Sequence, residues 1–369
     1  LRLESSCYVV FFDHFFELSL LDDFLKTFFM IYRAKAPLRL GLAGGGTDVS
    51  PFSDLYGGII LNATISLYAH ASIIPLKEPK IIFQALDRNE SVEYNLDDEI
   101  VIDHLLPLHK GIYVRIFKDY LQKKKGFCLT TFVDAPAGSG LGTSSTLAVA
   151  IIGAFAEWLK LPLGSYEIAR YAYDIERIDL EMAGGKQDQY AATFGGVNYM
   201  EFYADDKVIV NPLRIEPKYL RELEHNLLLY YTNQSRDSSL IIQEQQKNVQ
   251  NQNKASLDAM HRLKRQATEM KNALLTGNIH DIGYLLDDGY SHKRDLASGI
   301  NTPQMDALYS QAKKAGALGG KISGAGGGGF MMFYCPDNVK YEVEKVFHQF
   351  DGRVFHYSFV EEGLYTWSI

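Results

Sequence analysis

Cysteine is scarce in this 369-residue chain. The three present, Cys7, Cys128 and Cys335, are odd in number and far apart. That spacing excludes a disulfide framework and a cysteine-based metal cluster, and it suits a reducing, cytoplasmic setting. Also missing is an unbroken apolar run of the ~18–20 residues that a membrane span requires. Basic charge is in deficit: 37 Lys and Arg stand against 45 Asp and Glu, a net −8. An acidic chain argues against nucleic acid or an anionic membrane as the main partner, although a local basic pocket can still hold an anion. Disorder is excluded as well, because 47% of residues are hydrophobic and 22% charged, and the length allows two domains with a sizeable core. What is present in excess is glycine, much of it gathered into three short runs.

Residues 1–29 differ from the rest. They hold seven phenylalanines, five acids and two bases. The acids interrupt any apolar centre of a secretory signal. We read this segment as an upstream extension that is dispensable for activity, against the alternative of an amphipathic helix packed on the body. Met30 then opens a clean strand over 31–43.

From there the chain mixes periodicities. Apolar, β-rich runs at 58–75, 80–86, 127–133, 196–202, 226–232, 328–335 and 353–360 predict strands. Helical spacing covers 112–122, 144–159, 165–182, 237–275, 279–291, 303–315 and 339–350. Strands often follow one another directly, which favours α+β over a doubly wound sheet. The polar stretch 235–275 reads as one long surface helix, because Leu257, Met260, Leu263, Ala267 and Met270 keep helical spacing. Charge and two prolines near 203–218 suggest a boundary, giving an N-terminal lobe over 30–210 and a C-terminal lobe over 211–369.

The strongest local signal is the loop Gly138, Ser139, Gly140, Leu141, Gly142, Thr143, Ser144, Ser145. A predicted strand leads in and a long apolar helix leads out. Glycine lets the backbone approach a ligand closely, and the helix start offers unpaired N–H groups to an anion. No lysine follows the glycines, so the common P-loop is excluded. The plain alternative is a tight turn capped by Thr143 or Ser144. A second loop, Gly44, Gly45, Gly46, Thr47, Asp48, can hold a polar ligand on backbone amides or serve as a flexible turn. A third runs from Lys321 through Gly324, Gly326 and Gly327 to Gly329. It satisfies G-x-G-x-x-G, but a strand rather than a helix follows, so a dinucleotide site is disfavoured. Such a loop can wrap an anion or pack on another phosphate loop. Acids gather in a fourth segment. Glu176 and Asp179 lie three apart on one predicted helix, and Gly184-Gly185 then presents Lys186 and Asp188.

Together these motifs resemble the GHMP small-molecule kinases, in the family's order, from about residue 31 onward. Within the group, Gly44–Asp48 and Glu176–Asp188 look most like the bacterial branch that phosphorylates D-glycero-D-manno-heptose 7-phosphate. The galactokinase-like pattern Gly-Glu-His-x-Asp is replaced here by Gly-Gly-Gly-Thr-Asp. The resemblance implies a two-lobed α+β fold, with an N-terminal lobe like ribosomal protein S5 domain 2, a ferredoxin-like C-terminal lobe, and ATP between them. It implies an ATP-dependent sugar 1-kinase whose loop 138–145 holds the phosphates. Ser144 and Glu176 would bind Mg²⁺, Asp188 would be the catalytic acid position, and Arg39 its basic partner. Asp48 would bond sugar hydroxyls. A phosphate already on the substrate would need a base, with Lys186, Arg236, Lys293 and Arg294 as candidates.

The expected partner is a small sugar phosphate, with no nucleic acid and no membrane; a homodimer stays open. Two other readings compete: a fucokinase-like sugar 1-kinase, and a non-catalytic sugar or nucleotide sensor on the same fold. A protein kinase is disfavoured because no Asp-Phe-Gly or His-Arg-Asp occurs.

Overall fold

Eighteen consecutive residues rich in β-branched side chains form the longest strand of the protein, and the first sheet is built along it. The computed structural model describes residues 30–234, 239–293, 300–324 and 326–369. The segment 1–29, Arg236, Arg294 and the Lys293 side chain therefore lie outside the described residues. Strand β1 (Tyr32–Ala43) pairs antiparallel with the long β2 (Gly58–Pro75). The other edge of β2 is shared. Its end pairs with β5 (Phe127–Val133), and its beginning with β6 (Val197–Phe202), which carries β7 (Val208–Pro212). Strand β3 (Lys80–Ala85) runs parallel to β5 and antiparallel to β4 (Glu90–Asn95). The opposite edge is closed by β12 (Tyr365–Ser368) on β1.

The second sheet has the order β11 (Arg353–Phe355), β8 (Leu227–Tyr231), β10 (Phe330–Tyr334), β9 (Gly319–Ile322), all antiparallel. The unbroken apolar sequences LLLYY and FMMFY follow from its position. Every residue of β8 and β10 is buried, because helices cover both faces.

The helices, in chain order, are the short α1 (Phe52–Tyr56), α2 (Pro107–Tyr120), α3 (Thr143–Leu159), α4 (Ser165–Asp174), α5 (Gln187–Phe194), α6 (Pro217–Asn226), α7 (Ser239–Gln250), α8 (Lys254–Thr276), α9 (Ile279–Lys293), α10 (Pro303–Lys314) and α11 (Val339–Phe347). Helix α3 is apolar nearly all round, since it lies on β1, β2 and β12 with α4 and α5 also against it. Helix α8 packs on the first sheet, against β1 and β2. Its Thr268 hydroxyl bonds Tyr199 of β6, and Lys271 lies 4.3 Å from the centre of the same ring.

The α+β class and two-part build match the expectation; several element boundaries do not. The stretch read as one helix over 237–275 is α7 and α8. Gln252 adopts φ 51°, and the Asn253 side chain accepts from Ser256 N to start α8 afresh. The helix predicted to 182 ends regularly at Asp174, followed by a wider π-type turn over Ile175–Asp179. Strand β7 falls where a boundary is read, and it completes the first sheet. Strand β12, within the expected 211–369 lobe, also belongs to the first sheet.

Phe155 of α3 is fully buried, with Phe127, Tyr113 and Trp158 as aromatic neighbours. Phe155→Ala is expected to lower stability by about 3–5 kcal/mol, read as a fall in the urea midpoint at unchanged slope.

Candidate active site

The start of α3 opens into a cavity of about 560 Å³ between the two sheets. The helix begins at Thr143 after Gly142, and no side chain caps it. Neither Thr143 nor Ser144 takes the capping role, so the leading N–H groups face the cavity without an internal acceptor. Gly138, Gly140, Gly142, Thr143, Ser144 and Ser145 line it. Ser139 and Leu141 do not; both are fully buried beneath the loop.

The third glycine loop packs directly on this one, backbone to backbone. The Phe330 amide donates to Ser139 O at 2.9 Å. A Cβ on Gly140 would sit 2.5 Å from Ser323 O, and one on Gly324 would sit 2.7 Å from the Gly140 Cα. Only glycine permits that approach. Gly324, Gly326 and Gly328 border the cavity, whereas the Gly327 amide is spent on Ile300 O at 2.7 Å.

Arg39 rises from β1 beneath both loops and is almost completely buried. Its Nε and Nη2 donate to Asp188 Oδ1 at 2.7 and 2.6 Å, and its Nη1 donates to Gly140 O at 2.6 Å. Asp188 stands in the first turn of α5. Both Arg39 bonds reach one carboxylate oxygen. The other, Oδ2, would lie 3.1 Å from a Cβ on Gly142 and so faces the start of α3.

Glu176 is fully buried and lies across from this pair. Its Oε2 accepts from Gln189 Nε2 at 2.6 Å, and its Oε1 accepts from Ser144 Oγ at 3.0 Å. A carboxylate and a hydroxyl thus converge at the loop, both oxygen donors of the kind a hard cation takes. The π-type turn is what aims Glu176 inward. Asp179, expected on the same side, instead pairs with Arg115 on the outside at 2.8 Å. A π turn holds more residues than an α turn, so positions three apart no longer align.

The first loop is split between structure and cavity. Gly45, Gly46 and Asp48 line the space, whereas Gly44 and Thr47 do not. The Thr47 hydroxyl lies 2.8 Å from the carbonyls of both Gly44 and Ile59, shares its one proton between them, and accepts the Ile59 amide at 3.0 Å, which closes the turn. Asp48 is buried, and its Oδ2 accepts the Lys186 and Gln187 amides at 2.9 and 3.0 Å. It therefore sets the entry to α5, two residues before Asp188. Burial pushes the Asp48 carboxyl above its ordinary value, and the nearby charge of Asp188 adds to the rise.

Lys186 is a correction. Its side chain turns away from the cavity, bonds Asp206 at 2.8 Å and lies 3.3 Å from Asp54. Two lining cations were missed instead. Lys321, the first residue of the third motif, donates to Gly41 O at 2.7 Å. Arg177, directly after Glu176, reaches the Met182 and Gly185 carbonyls at 3.3 and 3.4 Å and steadies the segment leading to Asp188. Their adjacency to the motifs was the available signal. The α7 residues on the cavity wall, Ser239, Ile242, Gln243 and Gln245, carried none.

Comparison with known proteins bears on this geometry. Residues 107–196 match the GHMP kinases N terminal domain, and residues 270–350 the GHMP kinases C terminal domain. The chain is 46% identical over 337 residues to a D-glycero-alpha-D-manno-heptose 7-phosphate kinase of Campylobacter jejuni, covering 91% of this chain and 99% of that one. Among solved structures, a D-glycero-D-manno-heptose 1-phosphate kinase from Bacteroides thetaiotaomicron superposes with TM-score 0.78 at 44% identity, covering 92% and 99% of the two chains. A putative sugar kinase from Campylobacter jejuni gives TM-score 0.77 at 45% identity, covering 92% and 98%. An L-fucokinase/L-fucose-1-P guanylyltransferase of Bacteroides fragilis is more distant, 28% identical over 82% of this chain and 34% of its own length. With a relative this similar along almost its whole length, the chain belongs to the GHMP kinases, enzymes that move a phosphoryl group from ATP to a small molecule.

Proposed function

We propose that this protein transfers the γ-phosphoryl group of ATP to the anomeric C1 hydroxyl of D-glycero-D-manno-heptose 7-phosphate. The product is the 1,7-bisphosphate, a precursor for surface polysaccharide made in the cytoplasm. The observation that carries the reading is the Asp188 carboxylate, fixed by Arg39 through Oδ1, with Oδ2 facing the helix start at Gly142. The heptose kinases at 44–46% identity support the choice of sugar.

The chemistry follows from positioning and charge. Amides of the 138–145 loop and the positive end of α3 would hold the ATP phosphates. The C1 oxygen bonds to the γ-phosphorus while the bond to the β–γ bridging oxygen breaks and ADP leaves. Asp188 Oδ2 takes the hydroxyl proton. An anomeric hydroxyl is more acidic than an ordinary alcohol, so an aspartate suffices. Arg39 anchors Asp188 and the loop carbonyl at once, so acceptor and donor keep one reference point. Ser144 Oγ and Glu176 Oε1 fit a magnesium ion; when bound it would draw charge off the phosphates. Asp48, Gly45 and Gly46 would meet the sugar. Its existing phosphate needs a base other than Lys186, and Arg236, Lys293 and Arg294 remain the candidates.

The test is a turnover screen with Mg·ATP against heptose 7-phosphate, mannose, fucose and galactose, with phosphorus NMR locating the new ester. A bisphosphate esterified at C1 is expected; turnover only on another sugar overturns the assignment. Asp188→Ala should lose about 10²–10⁴ in kcat while still binding ATP, and near-normal kcat would refute its role. Nothing lies within 4 Å of a Cβ on Gly45. Gly45→Ala should therefore fold normally yet raise KM for the sugar, with KM for ATP unchanged.

A further inference from the structure

Two adjacent glutamines on α7 have different fates. Gln246 Nε2 donates to Ser50 O at 3.2 Å and so fixes the helix to the segment following the first glycine loop. Gln245 is 4% exposed and borders the cavity, and its amide keeps contact with the cavity space instead of being sealed into the core. Its neighbours on the helix, Ile241 and Val249, are buried in the ordinary apolar way. A polar amide presented on a cavity wall is available to bond whatever enters the cavity.

The placement narrows what that is. Gln245 Oε1 would lie 3.5 Å from a Cβ on Gly46. The neighbouring Gly45 looks onto open space in the same cavity. An amide offers one acceptor and two donors, which matches a hydroxyl that both gives and receives a hydrogen bond. It brings no charge to compete with the phosphates or with Asp188. The side chain comes from the second lobe, while Asp48, Gly45 and Gly46 come from the first.

We infer that Gln245 is a specificity-determining residue, an uncharged reader of the substrate's hydroxyl groups from the α7 side of the cavity. The inference rests on the sugar-kinase reading and adds the residue that selects the sugar. A site built to bond a hydroxyl discriminates against an analogue lacking it, because its own polar group is then stranded.

Gln245→Met keeps the length and removes the amide. With heptose 7-phosphate as the varied substrate, KM is expected to rise about three- to tenfold, with kcat and KM for ATP within about twofold. The thermal midpoint should hold, because the amide faces the cavity and not the core. A residue that merely supported the fold would lower the midpoint, and that result overturns the inference. So does an unchanged sugar KM in an enzyme that turns over heptose 7-phosphate, and in that case the proposed function stands. If the wild type instead phosphorylates only a different sugar, the heptose assignment fails and the same KM comparison on that sugar decides Gln245. No turnover of any sugar by the wild type overturns both.

Discussion

A guanidinium almost wholly removed from water must find acceptors within the protein, and Arg39 finds them on two different elements. One is the carboxylate of Asp188 on α5; the other is the Gly140 carbonyl of the loop before α3. Either bond broken alone would leave a buried group unsatisfied, at a cost well above that of a surface ion pair. The strand that carries Arg39 also accepts the loop at the main chain, where its amide donates to Leu141 O at 3.2 Å. Strand, loop and helix are thus held to one another at the point where the cavity narrows. Positions of this kind favour catalysis because the reacting groups need little reorganisation.

The second constraint is steric. The loop before α3 and the loop between β9 and β10 meet backbone against backbone at their glycines, with the Ser323 hydroxyl donating to Gly140 O at 2.7 Å. That contact joins the sheets where the cavity opens, while α8 lies against the first sheet elsewhere through Thr268 and Lys271. The glycines therefore serve two purposes: some clear space for a ligand, and others let two backbones touch. Gly45 belongs to the first group and the Gly140–Gly324 pair to the second, while Gly142 makes room for the Asp188 side chain.

Much of this was legible in the chain itself. Three glycine runs in order, a strand leading into an apolar helix, and the acid-bearing segment ending at Asp188 were enough to name the loop, its helix and the residues that meet there. What escaped notice depended on local geometry that periodicity does not report. The turn that swings Glu176 inward and Asp179 outward is not α-helical, so the helical count misjudged their directions. Lys186 sits beside Asp188 in sequence, yet its backbone amide meets Asp48 while its side chain pairs with Asp206 on the other side. Short strands such as β9 and β12 have too few residues to show alternation. Gln245 looked like one more polar residue in a glutamine-rich stretch, because only the folded arrangement brings α7 over the first glycine loop.

The pairing of β12 with β1 means that the polypeptide leaves the first sheet after β7 and returns to it near residue 358, where the Ser66 amide bonds Ser358 O at 2.8 Å. The second sheet is thus tethered by two covalent crossings rather than one. Both ends of the intervening chain are anchored in the first sheet, so the second sheet stands as an insertion within the first and not as a unit appended to its end.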